Sequence, residues 1–375
     1  MKQRNFDYFL FENFDSASVP TGDNPRSYLN SSSDNILSDV VNTTPFACDY
    51  HKMCSQYTPQ QINDLIHIDL FRVENDMLLL DSTVIVHEDI QSIFDCLGTE
   101  ISSLADKLCE KKSEIYACVS SIENGFDEKT NLYHLLCGAV FDGSLFDYLS
   151  KHNQLVTSRF HSSGIDYIIT VYEKCPELDS FSNHLLCSYN RFSDGTRALQ
   201  SFGDTDGSRI DFYRFYCQKL LGAVPPVSKQ LEMIWDAATC NDYRAHILNE
   251  LQIFDETGSC DENCMRLFEA FGYISGGQYA VPVFHQSAKN VVEELTKIVI
   301  GCIGDDIKKV LSNSPIMFQL YCRQHGVPKE EVANEVYHIL FGMLNEELVS
   351  RGIVQEPNLH VGEGRYLKSI ELFTR

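Results

Sequence analysis

The chain has 375 residues, 43% of them hydrophobic, and carries 30 basic residues against 53 acidic ones for a formal net charge of −23. That length suffices for two or three domains with real cores, and the apolar content excludes a disordered or collagen-like chain. The acidic balance repels phosphate backbones and anionic membranes unless basic residues gather on one face, and the sequence shows no such gathering.

The first residues, MKQRNFDYFLFENFDSA, lack the design of a secretory signal, because Asp7, Glu12 and Asp15 interrupt the apolar run. No segment approaches the roughly 18 uncharged apolar residues of a transmembrane helix. Of the 14 cysteines, Cys96, Cys137, Cys187 and Cys302 sit inside apolar patterns, where a thiol acts as a small hydrophobe. The expectation is a cytoplasmic protein with free thiols.

Residues 16–47 are rich in Ser, Asn, Asp and Thr and read as loop within an N-terminal extension, 1–50. A winged-helix-like segment is expected over 51–125. Thr58 suits an N-cap and Pro59 the first helical turn. Residues 72–86 read as two strands turning at Glu74–Asn75–Asp76. Ile90, Ile93, Phe94, Leu97, Ile101, Leu104 and Leu108 then mark an amphipathic helix by their 3/4 spacing.

Residues 126–255 open with a helix near NLYHLLCGAVFDGSLFDYLSKH. Four β-branched and aromatic runs follow: GIDYIITVYEK, SNHLLCSYNRF, TRALQSFG and RIDFYRFYCQKLL. They predict a central antiparallel sheet of about four strands. Helices around SKQLEMIWDAA and DYRAHILNELQIF close the region.

The earlier order returns about 200 residues later, in a second winged-helix-like segment over 256–314. A helix near Glu262–Phe271 leads into GYISGGQYAVPVF. There Gly276 and Gly277 suit a hairpin tip with positive φ, and Pro282 suits an edge strand. A long helix follows through Val291, Leu295, Val299 and Leu311. His87 and His285 hold equivalent places before the two long helices. Residues 315–375 read as helix, turn and helix, with Gly326 and Gly352 as stops, and then a hairpin-like pair.

Candidate chemistry is sparse. CDYHKMC places Cys48, His51 and Cys54 within seven residues, and Cys260 and Cys264 lie four apart; a zinc site needs four such ligands brought together. Free thiols are the plainer reading. GDTDGS (203–208) resembles the Asp-x-Asp-Gly-Thr start of haloacid-dehalogenase-like phosphatases, and Gly304–Asp305–Asp306 resembles that family's later metal motif. The resemblance implies a nucleophile at Asp204, an acid/base at Asp206 and metal-binding Asp305 and Asp306. It covers those two short motifs, and Arg209 stands where the family has an apolar residue. The plain reading of the first motif is an Asp-Gly β-turn. Arg191, Arg197, Arg209 and Arg214 would bind an anion or acidic peptide if they shared a face.

The candidate recognition helices are acidic. Residues 328–352 hold Lys329 and Arg351 against five glutamates. The sequence therefore reads as an α+β protein with winged-helix-like segments flanking a central antiparallel sheet, without catalytic, cofactor or metal residues. The expected function is a regulatory or scaffold protein that binds a protein or peptide through wings and sheet edges, as a monomer or homodimer. A dimeric DNA-binding regulator and a phosphatase-like enzyme are the alternatives.

Overall fold

The computed structural model describes residues 3–12, 19, 22–43, 48–161, 164–182, 187–205, 209, 211–220, 229–238 and 243–373. The chain begins with β1 (Phe6–Glu12), α1 (Ser31–Asn42), β2 (Cys48–Asp49), α2 (Tyr50–Gln56) and α3 (Pro59–His67). Next come β3 (Phe71–Glu74), β4 (Met77–Leu80), β5 (Thr83–Ile85) and α4 (His87–Glu110). A helical stretch follows: α5 (Lys112–Val119), α6 (Glu128–Leu132), a π-helical segment (Tyr133–Ser144) and α7 (Leu145–Lys151). The middle of the chain holds β6 (Arg159–Phe160), β7 (Asp166–Glu173), α8 (Pro176–Ser182), β8 (Cys187–Ser193) and β9 (Ala198–Asp204). Among the described residues α9 (Phe212–Leu220), α10 (Lys229–Ala238), α11 (Tyr243–Thr257) and α12 (Glu262–Ala270) follow. Then come β10 (Ile274–Ser275), β11 (Gln278–Tyr279), β12 (Val283–His285) and α13 (Gln286–Val299). A π turn (Ile300–Gly304) joins α13 to α14 (Asp305–Asn313). The short α15 (Ile316–Gln319) and α16 (Tyr321–Gln324) lead to α17 (Lys329–Ser350), β13 (Leu359–His360) and β14 (Gly364–Leu372).

The result is a mixed α+β protein of two compact units. The first comprises Met1–Ser103, Asp147–Phe181 and Asp305–Leu340; the second comprises Leu104–Phe146, Ser182–Gly304 and Phe341–Arg375. In the first unit β7 is the central strand. It pairs antiparallel with β1 and β6 and parallel with β5, with Val84 opposite Val171. Its run YIITVYE is buried along its whole length, as a strand covered on both faces must be. A second sheet has the order β2-β4-β3. Its hairpin turns at Asn75 and Asp76, both left-handed (φ 51° and 61°), the backbone of a tight two-residue turn.

In the second unit the sheet order is β12-β14-β9-β8, with β13 on β14. β14 runs antiparallel to β9, with Ser369 opposite Gln200, and parallel to β12, with Ile370 opposite Val283. β10 and β11 form a separate hairpin whose tip, Gly276–Gly277, has φ of 58° and 76°. The core is aromatic. Phe192, Phe212, Phe215, Trp235, Phe271 and Tyr273 are buried together, with the Phe212 and Trp235 rings 5.2 Å apart.

Both halves of the chain follow one order: helix, hairpin, short strand, long helix, further helices, short strand, long strand. In the first half this is α3, β3-β4, β5, α4, then β6 and β7. In the second it is α12, β10-β11, β12, α13, then β13 and β14. The short strand before the long helix joins the long closing strand in parallel both times. His87 opens α4 and His285 stands at the N-cap position of α13. The helices between also match: Tyr133-His-Leu-Leu-Cys-Gly138 answers Tyr337-His-Ile-Leu-Phe-Gly342. Each unit is completed by a helical segment from the other half, 305–340 in the first unit and 104–146 in the second.

Several expectations need correction. Residues 31–42, read as loop, form α1. Asn30 and Ser33 make a capping box at its start, and Ile36, Leu37, Val40 and Val41 face the core. β1 was not anticipated. The central region is not one sheet, because β7 belongs with β1 and β5 while β8 and β9 belong with β14. Within the run RIDFYRFYCQKLL, Phe212–Leu220 form helix α9 rather than a strand. Asp211 accepts from the Arg214 N–H at its start (2.8 Å), and Phe212, Phe215 and Tyr216 fall on one buried face by 3/4 spacing. Pro282 is buried just before β12, and its carbonyl accepts from Ile370 N at 2.9 Å. The 13 described cysteines are free thiols. No helix among the described residues is long and apolar enough to cross a membrane.

Candidate functional site

The described residues between 31 and 80 form a connected piece of the first unit. The Thr58 side chain accepts from Gln61 N, and Gln61 answers the Thr58 N–H, so α3 starts on a capping box with Pro59 in its first turn. Asp49 caps α2 by accepting from Lys52 N at 2.7 Å. Inward, Ile36, Leu37, Met53, Ile62, Leu65 and Leu78 are buried. Outward, α3 presents Gln60, Asn63 and His67, and the hairpin tip presents Val73, Glu74, Asn75 and Asp76. Val73 is 41% exposed, an apolar side chain at the rim of a polar face.

The charges on this piece are one-sided. Lys52 and Arg72 stand against Asp34, Asp39, Asp49, Asp64, Asp69, Glu74 and Asp76. Arg72 is also turned inward. Its guanidinium donates to the Leu80 and His325 carbonyls and to Asp81, the last at 3.3 Å. The face of α3 and the hairpin tip therefore offer no arginine or lysine to a phosphate.

Behind the hairpin lies a half-buried ion network. Arg159 reaches Glu331 at 3.0 Å, Asp81 at 3.4 Å and Asp69 at 3.6 Å. His161 stacks on Tyr167 with ring centroids 3.6 Å apart, directs Nε2 to the Tyr167 carbonyl at 2.9 Å, and turns Nδ1 to Asp69. Burial outweighs the nearby arginines for the acids. It raises Asp81 and pushes Glu331 up to about 7. Burial and then Arg72 push His325 down to about 4. Asp89, accepting from the Tyr321 and Val86 N–H groups, is pushed up to about 7 by burial. A carboxyl group poised near neutrality suits proton transfer. Glu331 is only 5% exposed, however, and its partner Arg159 is engaged by three carboxylates.

The second unit holds a serine–histidine contact in its sheet. Ser369 Oγ lies 2.7 Å from His134 Nε2, which also meets Gln200 Oε1 at 2.8 Å. Gln200 donates in turn to Glu371, which pairs with Arg191 at 2.7 Å. Ser369 and His134 are at most 1% exposed. A nucleophile so enclosed has no room for a substrate, so this is a hydrogen-bonded core network that fixes strand register.

The residues singled out in the sequence fall as follows. Cys48 is buried against Thr43 Oγ1 (3.2 Å), while His51 is exposed beside Asp76 (3.7 Å). Cys48, His51 and Cys54 are not among the described groups whose ligand atoms could share an ion. Cys264 is, with His246 and Asp261. Asp204 is buried, accepts from the Arg365 N–H at 2.7 Å and is raised by burial. Asp206 lies outside the described residues. Asp305 and Asp306 pair with Lys308 (2.8 Å) and Lys309 (3.5 Å) on the first turn of α14. Each of the four arginines has a carboxylate: Arg191 with Glu371, Arg197 with Asp194, and Arg209 and Arg214 with Asp211. The network around Arg159 escaped sequence reading because its members stand far apart in the chain. No protein-family model, curated protein or solved structure matches this chain.

Proposed function

We propose that the chain is a non-enzymatic regulatory or scaffold protein that binds a protein partner through winged-helix surfaces. A winged-helix module runs helix, short strand, helix–turn–helix and hairpin, with the short strand paired to the hairpin's second strand. Residues 31–80 follow that order as α1, β2, α2-α3 and β3-β4, and the sheet order β2-β4-β3 supports it. In the second unit α10, α11 and α12 followed by β10-β11 give a related series.

One observation carries the choice of partner. The outward face of α3 and the hairpin tip bears Gln60, Asn63, His67, Val73, Glu74, Asn75 and Asp76, without a lysine or arginine. A DNA-binding winged helix meets phosphates there with basic side chains. An acidic, hydrogen-bonding face with one apolar residue suits a basic protein surface instead. The end strands β1 and β8, seven residues each, offer backbone groups for strand addition as a second contact.

A photo-crosslinking side chain placed at Gln60 or at Val73 tests this in cells. One protein should be captured from both positions, and Glu74→Lys with Asp76→Lys should abolish its capture. Capture of nucleic acid, or duplex binding that weakens steeply with added salt, would refute the proposal.

A further inference from the structure

Among the described residues two groups of three side chains place their ligand atoms within 4.8 Å of one another: His87, Cys175 and Glu177, and His246, Asp261 and Cys264. In the first group His87 and Glu177 already form an exposed ion pair at 3.2 Å. The second group is arranged differently. His246 sits on α11, Asp261 is the N-cap of α12, and Cys264 lies in the first turn of α12. His246 Nε2 and Cys264 Sγ are 3.5 Å apart. Zinc bonds of about 2.3 Å to sulfur and about 2.0 Å to nitrogen, at a tetrahedral angle, separate those donors by about 3.5 Å.

The Asp261 carboxylate is held independently of any ion. Asp261 Oδ1 accepts from Asn263 N (2.9 Å) and Cys264 N (3.2 Å), which holds the carboxylate in place. Glu250 Oε2 accepts from Asp261 N at 2.8 Å and ties the loop to α11. Cys264 is wholly buried, His246 is half-buried and Asp261 is exposed, so the group opens to solvent on one side.

We infer that His246, Asp261 and Cys264 bind one zinc ion in the second unit, with a fourth position open to solvent. A nitrogen, a sulfur and an oxygen donor select a borderline-soft ion over magnesium or calcium. On binding, the Cys264 thiol gives its proton to solvent and its sulfur forms the bond to zinc, so one proton is released per ion.

The full-length reduced chain, stripped with chelator, would be titrated with zinc chloride against a chromophoric chelator and separately with cobalt(II). One zinc per chain should bind, and cobalt should give thiolate-to-metal absorption in the near ultraviolet. His246→Gln and Cys264→Ser should each weaken zinc at least tenfold and remove that absorption, with His87→Gln and Cys48→Ser unchanged. If Cys264→Ser does not fold, His246→Gln, checked for native circular dichroism, decides alone. No zinc uptake, undiminished uptake by folded His246→Gln, or loss of uptake in His87→Gln would overturn the assignment.

Discussion

Glu331 and His325 pull the stability of the first unit in opposite directions as pH changes. Glu331, raised to about 7, and Asp89, raised likewise, contribute most below the ordinary carboxyl range and lose that contribution as pH rises through 7. His325, lowered to about 4, contributes above its ordinary value near 6.5 and loses that contribution as pH falls through 4. Between about pH 4.5 and 6.5 the histidine opposes the carboxyls only in part, because two carboxyls are raised and one histidine is lowered. His325→Asn should therefore make the protein gain stability on acidification from pH 7.5 to 5, by on the order of 1 kcal/mol relative to wild type. Glu331→Gln should change the slope in the other direction. Urea midpoints at the two pH values read both, and wild-type slopes in both variants would show that these groups do not titrate as their burial requires. Gly203 is a different kind of constraint. Its φ is 153°, and a Cβ there would lie 2.2 Å from the Arg365 carbonyl oxygen on the neighbouring strand. Gly203→Ala should cost more than about 3 kcal/mol, because backbone must move to admit it. Gly277→Ala, with open space at φ 76°, should cost only about 1–2 kcal/mol. Equal midpoints for the two alanines would contradict the close strand approach.

Elements were legible where their signals are local. The 3/4 spacing of Ile90 to Leu108 and of Ala288 to Leu311 marks α4 and the α13–α14 stretch, and the positive-φ turns at Asn75–Asp76 and Gly276–Gly277 mark the two hairpins. Sheet membership was not legible. The distant partners of β7, β5 and β1, lie about 90 and 160 residues away, and nothing in DYIITVYE says which strands they are. α1 was hidden because its cap and first turn, Asn30 to Asp34, are the same polar residues that make loops. The candidate sites divide the same way. Cys260 and Cys264 stood out by spacing, but His246 reaches Cys264 only because α11 and α12 fold back on one another. The capping box of α3 gives a check at this scale. Thr58→Ala should cost about 1 kcal/mol by orphaning the Gln61 N–H. Val291→Ala on α13 should cost about 2 kcal/mol by opening a cavity. Thermal denaturation would rank them, and a silent Thr58→Ala would mean α3 is held by packing alone.

At the scale of the whole molecule the consequential feature is the exchange of segments between the halves. Residues 1–181 hold β1, β5 and β7 of the first unit but lack 305–340, which bring buried Met317, Val332, Val336 and Tyr337. Residues 182–375 hold β8, β9, β12 and β14 of the second unit but lack 104–146, which bring buried Leu132, Leu136, Val140 and Phe141. Each half made alone leaves a sheet without the helix that covers its apolar side chains, and burying each such side chain contributes roughly 1.5–3 kcal/mol. Several of them together exceed the net stability of an ordinary domain, about 5–15 kcal/mol. Neither half should then fold by itself. Co-expressed without a covalent link, the two should assemble one to one, because each carries the segment the other needs. The whole-chain charge of −23 opposes that association, so it should be followed at moderate salt, where the repulsion is screened. Size-exclusion chromatography and circular dichroism of each half, and of the pair, make the comparison. A half that melts cooperatively on its own at the temperature of the intact chain would show that it does not need the segment from the other half.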